Sequence, residues 1–225
     1  MFGQIAPTEY DLRFSLFGIP IRVHPIFWLT SAFLAWDRDG GDLRKTLIRV
    51  LCIFVAILVH ELGHALVTRR FGWNSEIVLY FFGGYATSKR HSTWKDIAVS
   101  AAGPGAGFLL YFIINWSIPS MMRAGLFENK LLLDAVVFSL RINLAWSILN
   151  LLPVLPLDGG QISREFLCWL SPRRGMDICV KFSLLAAAGI ALLGLKMGST
   201  FMAMMFGYLA FQSYLTLQDT RRGYR

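Results

Sequence analysis

Charged, glycine and proline positions cut the chain into apolar runs of very different length. Residues 1–25 are polar and then mixed, and Phe14 to Val23 reads as a short strand and turn, since Pro20 and Pro25 exclude a continuous helix. The first apolar run, about Pro25 to Trp36, has ~12 residues and makes only ~18 Å of helix against a ~30 Å hydrocarbon core. The charged link Asp37-Arg38-Asp39-Gly40-Gly41-Asp42 leads to a longer run, about Val50 to Thr68, closed by Arg69-Arg70. Ile77 to Phe82 is rich in branched and aromatic residues and is followed by Gly83-Gly84 and Tyr85, a hairpin pattern. After the basic patch Lys89-Arg90-His91 and Lys95 come runs at about Ile97 to Ile118 and Leu131 to Leu152. The first of these contains Ala102-Gly103-Pro104-Gly105-Ala106-Gly107, small enough for close helix approach. The second is broken by Pro153 and Pro156 ahead of Asp158-Gly159-Gly160. Such non-helical backbone is tolerated at membrane depth only where protein or a water-filled cavity covers it. Ile162 to Leu170 reads as an amphipathic helix on the interface, and about Ile178 to Leu195 and Thr200 to Leu217 complete the set. The expected fold is an α-helical polytopic membrane protein with about six transmembrane spans and a small membrane-associated β-hairpin or sheet.

Composition supports the membrane setting. The 225 residues are 55% hydrophobic and 16% charged, with mean hydropathy +0.52, which excludes an ordinary soluble domain. A net charge of +8 has no basic domain to place on nucleic acid, so no nucleic-acid partner is expected, and basic loops beside apolar spans account for the excess. Three cysteines, Cys52, Cys168 and Cys179, form neither a disulfide framework nor a Cys-x-x-Cys site and read as packing residues. Residues 1–16 carry Glu9 and Asp11 without a continuous apolar core, so no cleavable signal peptide is expected. If the chain ends share a side with Arg69 and Arg70, that side holds Arg13, Arg22, Lys89, Arg90, Lys95, Arg164, Arg173, Arg174, Lys181, Arg221, Arg222 and Arg225 as well. The opposite side holds Arg38, Arg44, Lys45, Arg49, Arg123, Lys130 and Lys196. The positive-inside rule makes the richer side cytoplasmic, with both termini inside. Trp36 and Trp116 then mark the outer interface, and Trp73 and Trp94 the inner one.

The chemistry concentrates in Val59-His60-Glu61-Leu62-Gly63-His64-Ala65, three ionisable residues inside an apolar run. On a helix His60 and His64 lie one turn apart on one face and can reach one metal ion, with Glu61 beside them as a possible base. Each ionisable group near the bilayer centre costs at least about 2.5–3.5 kcal/mol, which makes an intramembrane trio a functional hypothesis by default. The bland alternative is a helix that buries polar residues against its neighbours. A catalytic zinc site normally has three protein ligands and one open position. His24 and His91 sit in flanking segments, so Asp158, brought back to the depth of His60 by the broken end of the preceding run, is the better third candidate. Its alternative role is the N-cap of the following helix.

These residues carry a family resemblance over nearly the whole length: the chain resembles the site-2 protease family of intramembrane zinc metalloproteases. His60-Glu61-Leu62-Gly63-His64 matches the family's first motif. Asn150-x-x-Pro153-x-x-x-x-Asp158-Gly159 matches the second, which supplies the third zinc ligand. Ala102-Gly103-Pro104 and the Gly83-Gly84 hairpin match as well, whereas Gly107 stands where the family commonly has asparagine, which puts a packing or polar contact in doubt. The resemblance implies one zinc ion on His60, His64 and Asp158, with Glu61 as base and Asn150 contacting the substrate backbone or the developing oxyanion. It further implies a substrate-binding strand at Gly83 and Gly84, a single-span membrane-protein substrate cleaved within or near its span, and a bacterial or archaeal cell membrane. The expected organisation is one membrane-embedded domain over 1–225, with 1–25 as an N-terminal strand and turn segment, 46–160 as catalytic core and 176–217 as two C-terminal spans. No room is expected for the PDZ-type or nucleotide-sensing modules that many family members carry.

Three rival readings differ in what they require. A di-iron oxygenase needs more histidines than the four present. A zinc transporter has no use for a glutamate next to the first histidine. A catalytically silent scaffold of the same family would retain the fold without needing all four chemical residues.

Overall fold

The computed structural model describes residues 6–36, 42–80, 83–86 and 92–223, with the backbone alone at 83–86 and 220–223. The basic patch at 89–91 and the charged link at 37–41 fall outside the described residues. The chain divides into two compact units, residues 1–89 with 102–147, and residues 90–101 with 148–225.

The first unit begins with a hairpin, β1 (Leu12–Leu16) and β2 (Ile19–Val23). Its two-residue turn has positive φ at both Phe17 and Gly18, the backbone twist that suits a tight hairpin. Thr8 and Arg22 hold Asp11 in place: burial alone would raise the carboxyl, but hydrogen bonds from Thr8 and the Arg22 guanidinium bring it down to about 2. In β2 the period-two pattern puts Ile19, Ile21 and Val23 inside. Pro25 then opens α1 (Pro25–Ala35), where a missing N–H costs nothing, and His24 Nδ1 caps it by accepting from the Ile26 N–H at 3.2 Å. The same His24 packs its ring edge on Tyr80 at 4.9 Å.

Next, α2 (Leu43–Arg70) starts at Asp42, whose carboxylate accepts from the Arg44 N–H at 2.9 Å. It ends on Arg69 and Arg70, cations at the negative end of the helix dipole. The Arg69 guanidinium donates to the Phe17 carbonyl and so fastens the helix end to the β1–β2 turn. Strands β3 (Ile77–Tyr80) and β4 (Gly83–Ala86) form the expected hairpin, with both glycines in β4. The structure adds what the sequence reading left out: β3 pairs in parallel with β2, giving one four-stranded sheet in the order β1-β2-β3-β4, with β4 at an edge. Ile19, Ile21, Val23, Ile77 and Leu79 share one core with Phe27 of α1 and Ile53, Ile57, Leu58, Leu62 and Ala65 of α2.

Two long helices complete this unit. α3 (Thr93–Arg123), which lies in it from residue 102, meets α2 where Gly63 faces Ala102 and Ala106; a Cβ on Gly63 would overlap the Ala102 carbonyl. α4 (Lys130–Asn150), which lies in it up to residue 147, meets α3 at Gly107. A Cβ on Gly107 would overlap the Ser147 hydroxyl, so a serine from α4 fills the place where the resemblance implies an asparagine on α3. Arg49 of α2 makes a forked ion pair with Asp134 of α4, Nε to Oδ2 at 2.9 Å and Nη2 to Oδ1 at 2.6 Å.

In the second unit the residues after Asn150 leave the helix, and α5 starts at Asp158 (Asp158–Leu170). The expected amphipathic segment is thus one turn longer than the sequence reading gave it. Its Phe166 and Trp169 are exposed and cluster with Trp94 at the start of α3. α6 (Gly175–Lys196) and α7 (Thr200–Gly223) pack against each other, with Ala187, Phe206 and Leu209 closing over Val154 of the irregular segment. Cys52, Cys168 and Cys179 are not joined by disulfides, and Cys179 alone of the three is buried.

Among the described residues four helices, α2, α3, α4 and α6, are long and apolar enough to cross a bilayer. α1 is apolar but has 11 residues, ~16 Å at 1.5 Å per residue. The mostly helical membrane architecture with a small sheet is as the apolar pattern implied, and the number of complete crossings is the approximate part of that expectation.

Candidate metal centre

The centre is built on α2. His60, Glu61 and His64 are 2%, 4% and 8% exposed, so three ionisable side chains are removed from solvent on one turn of an otherwise apolar helix. The i, i+4 spacing brings His60 Nε2 and His64 Nε2 to 3.1 Å, with ring centroids 4.8 Å apart and nearly perpendicular. Two zinc-bound imidazole nitrogens at ~2.0–2.1 Å in tetrahedral geometry would be ~3.3 Å apart. The pair therefore fits a common ion with an adjustment of a few tenths of an ångström. The rings of His60 and of Trp146 on α4 have centroids 6.3 Å apart and lie 75° to one another, so the indole forms part of the wall beside the imidazole.

Gly103 of α3 completes the surroundings of the pair. A Cβ there would overlap His64 Nε2 and come within 2.8 Å of His60 Nε2. The small residues at 102–107 imply close helix approach, and Ala102 and Ala106 against Gly63 of α2, with Gly107 against Ser147 of α4, provide it. The place of Gly103 directly against the two ring nitrogens, and the wall formed by Trp146, were missed. Glycine next to proline inside a span was the available signal for the first, and no sequence signal separates Trp146 from an interfacial tryptophan. His24 is accounted for as a helix cap, and His91 lies outside the described residues.

In the second unit, Asn150 is the last residue of α4 and is 8% exposed. Asp158 is half-buried at the first position of α5. The N-cap of that helix is Leu157, without a side-chain capping bond, so Asp158 does not hold the N-cap place considered for it. Gly159 and Gly160 let the helix start fold tightly over the segment before it: a Cβ on Gly159 would overlap the Leu151 carbonyl, and one on Gly160 would meet Val154 and Leu155 backbone at 2.5–2.6 Å. Gly83 and Gly84 lie in the edge strand β4 of the first unit.

Comparison with known proteins bears on the same residues. The model of peptidase family M50 matches residues 48–131 and 117–193, a stretch covering more than half of the chain and both motifs. A protein of Synechocystis sp. named as a zinc metalloprotease is 31% identical over 185 residues, covering 74% of this chain and 46% of that protein. A zinc metalloprotease of Methanocaldococcus jannaschii is 26% identical over 162 residues, 71% of this chain and 46% of its own. Stage IV sporulation protein FB of Bacillus subtilis is 31% identical over 150 residues, with 64% and 46% covered. The chain thus spans about half the length of the curated relatives it matches. In fold it is similar to the solved site-2 protease from Methanocaldococcus jannaschii, with a TM-score of 0.63 at 22% identity, covering 92% of this chain and 95% of that one. With the paired histidines, the adjacent glutamate and the apolar helices already described, the match places this chain in peptidase family M50, the site-2 proteases, as an integral membrane protein.

Proposed function

We propose that this protein is an intramembrane zinc metalloprotease that hydrolyses a peptide bond within or near the transmembrane segment of a single-span membrane protein. The observation that carries the reading is the buried pair His60 and His64, with Nε2 atoms 3.1 Å apart and Glu61 between them in sequence. His60, His64 and Asp158 would hold one zinc ion, two neutral nitrogens and one anionic oxygen, a donor set that suits a borderline-soft cation. When bound, zinc supplies Lewis acidity, which brings the pKa of a coordinated water towards ~7 and polarises a carbonyl.

The chain's own residues do the rest. Glu61 takes the proton of the attacking water and hands it to the departing amine, a role its buried position beside the metal ligands suits. Asn150 donates its side-chain amide N–H to the carbonyl oxygen under attack or to the substrate backbone. The substrate helix hides its carbonyls in internal hydrogen bonds and must unwind locally. Pairing with the edge strand at Gly83 and Gly84 would replace the bonds it loses. The site lies nine residues, or ~13 Å, from Arg69 along α2, and the basic asymmetry of the loops puts that end and both termini in the cytoplasm. Reporter fusions after Leu217 and in the Arg123–Lys130 link should read cytoplasmic and external respectively; the reverse reading would overturn this orientation.

Glu61→Gln removes the base and leaves every proposed ligand in place. Purified full-length variant protein should keep its zinc, measured by elemental analysis, while cleavage of a panel of single-span reporter proteins falls by at least about a hundredfold. Undiminished cleavage would end the protease reading, and cleavage absent from both variant and parent would favour a silent scaffold.

A further inference from the structure

The proposed ligand Asp158 follows directly on the irregular segment 151–157, and something must hold that segment still. Within the second unit, Ser183 of α6 does so: its Oγ accepts a hydrogen bond from the Leu155 N–H at 2.8 Å, three residues before Asp158. Ser183 is 0% exposed, and its hydroxyl shares a second hydrogen bond, at 2.9 Å, with Ser213 of α7, which is 2% exposed. A hydroxyl offers one proton and two lone pairs, so Ser183 can accept from the backbone and bond Ser213 at once. Val154, next to Leu155, is 0% exposed under Ala187, Phe206 and Leu209 of the same two helices. Gly160 then presses the first turn of α5 onto Val154 and Leu155. The chain from α6 and α7 to the segment to Asp158 is therefore continuous: the Ser183 hydroxyl is its polar link to the segment before Asp158, and the Cys179 thiol, donating to the Gly160 carbonyl at 3.8 Å, adds a weaker one just after it.

We propose that Ser183, supported by Ser213, is a positioning residue for the metal centre: it fixes the Leu155 amide and, through the tight start of α5, the place of the Asp158 carboxylate. This rests on the reading above in which Asp158 is a zinc ligand. It gives the two C-terminal helices a role in the chemistry, as the frame of the second motif. Apolar contacts at Val154 set the depth of the segment, but they leave it free to slide. A hydrogen bond in a low-dielectric interior has direction and fixes the register. Residues that orient ligands from outside the coordination sphere cost about 10–100-fold in metal affinity when removed, and an orienting contact made to the ligand's backbone belongs at the lower end.

The test is zinc affinity, measured by competition with a chromophoric chelator on full-length protein in detergent, for Ser183→Ala, Asp158→Asn, the double variant, Ser213→Ala and Leu217→Ala. Leu217 is a buried residue of α7 outside the cluster that covers Val154, so its variant reports generic loosening of the pair. Ser183→Ala should bind zinc about tenfold more weakly, Ser213→Ala less weakened because the Leu155 bond survives, and Leu217→Ala should bind normally at equal or greater loss of thermal stability. In the Asp158→Asn background, Ser183→Ala should add nothing, since the group it positions is gone. If Asp158→Asn alone leaves affinity unchanged, the ligand reading fails. If Asp158→Asn weakens zinc while Ser183→Ala does not, or if the two losses add in full, the positioning role fails and the ligand reading stands. Equal weakening in Leu217→Ala would likewise reduce Ser183 to ordinary packing.

Discussion

Gly103→Ala is the smallest change that should disable the centre without touching a ligand or the base. The added methyl carbon would lie 2.8 Å from His60 Nε2 and overlap His64 Nε2. An ordinary carbon–nitrogen contact needs ~3.4 Å, so His60 would have to retreat by about 0.6 Å and His64 by more. Neither ring can retreat freely, because both sit on a buried helical turn and His60 has Trp146 beside it. Ligand distances in a working metal site hold within ~0.2 Å, and merely losing the contacts that orient the ligands costs about 10–100-fold in metal affinity. Zinc affinity should therefore fall by about a hundredfold or more, equivalent to about 2.8 kcal/mol. Gly105→Ala is the matched control: a Cβ there meets nothing within 4 Å, and alanine inside a helix gains up to about 1 kcal/mol over glycine. Chelator competition and thermal unfolding on the two purified variants give the comparison. A Gly103→Ala protein that holds zinc as tightly as the parent would show that the two Nε2 atoms do not present themselves to one ion at this place.

Breaking the fork between α2 and α4 should cost stability without changing metal affinity. Arg49 and Asp134 side chains are 18% and 22% exposed, so Arg49→Met should lose about 2 kcal/mol, between the limits for exposed and for buried pairs, while Arg49→Met with Asp134→Leu should recover most of it. Thermal unfolding in detergent measures both, and an equal loss in single and double variants would contradict the pairing argument. On the edge strand, adjacent residues direct their N–H groups to opposite sides, so of Gly83→Pro and Gly84→Pro one removes an outward donor and the other breaks the ladder with β3. The outward one should slow cleavage of two unrelated single-span substrates alike with zinc retained; normal rates for both variants on both substrates would remove the strand from substrate capture.

Local geometry made the first motif legible from the sequence. A histidine pair at i, i+4 is a property of the helix alone, and the length and apolarity of residues 50–68 left no other secondary structure for it. The β3–β4 hairpin was legible for the same reason, as a contact between near neighbours. The parallel pairing of Ile21, Arg22 and Val23 with Ile77, Val78 and Leu79 was not, because it depends on α1 and α2 returning the chain to the same edge. Arg49 read as a flanking charge because its carboxylate lies 85 residues away on α4. Ser183 and Ser213 carried no sequence signal at all, since a serine inside an apolar helix looks the same whether it bonds its own helix or a distant backbone amide.

Polar groups buried in apolar helices must each find an answering group, and how they do so separates the structural ones from the chemical ones. Arg49 answers Asp134, charge for charge. Ser183 answers a backbone N–H and a second hydroxyl, and nothing further is called for. His60 and His64 turn Nε2 toward Nε2 at 3.1 Å, and two neutral imidazoles with both lone pairs facing would repel. One shared proton or one cation between them relieves that repulsion. Gly103 lets α3 come against both rings, because a Cβ there would overlap His64 Nε2 and Cε1 whichever of the two lies between the nitrogens. The cation reading therefore rests on the motif and on the burial of the pair, and zinc binding by Gly103→Ala tests whether the placement of the two rings governs it.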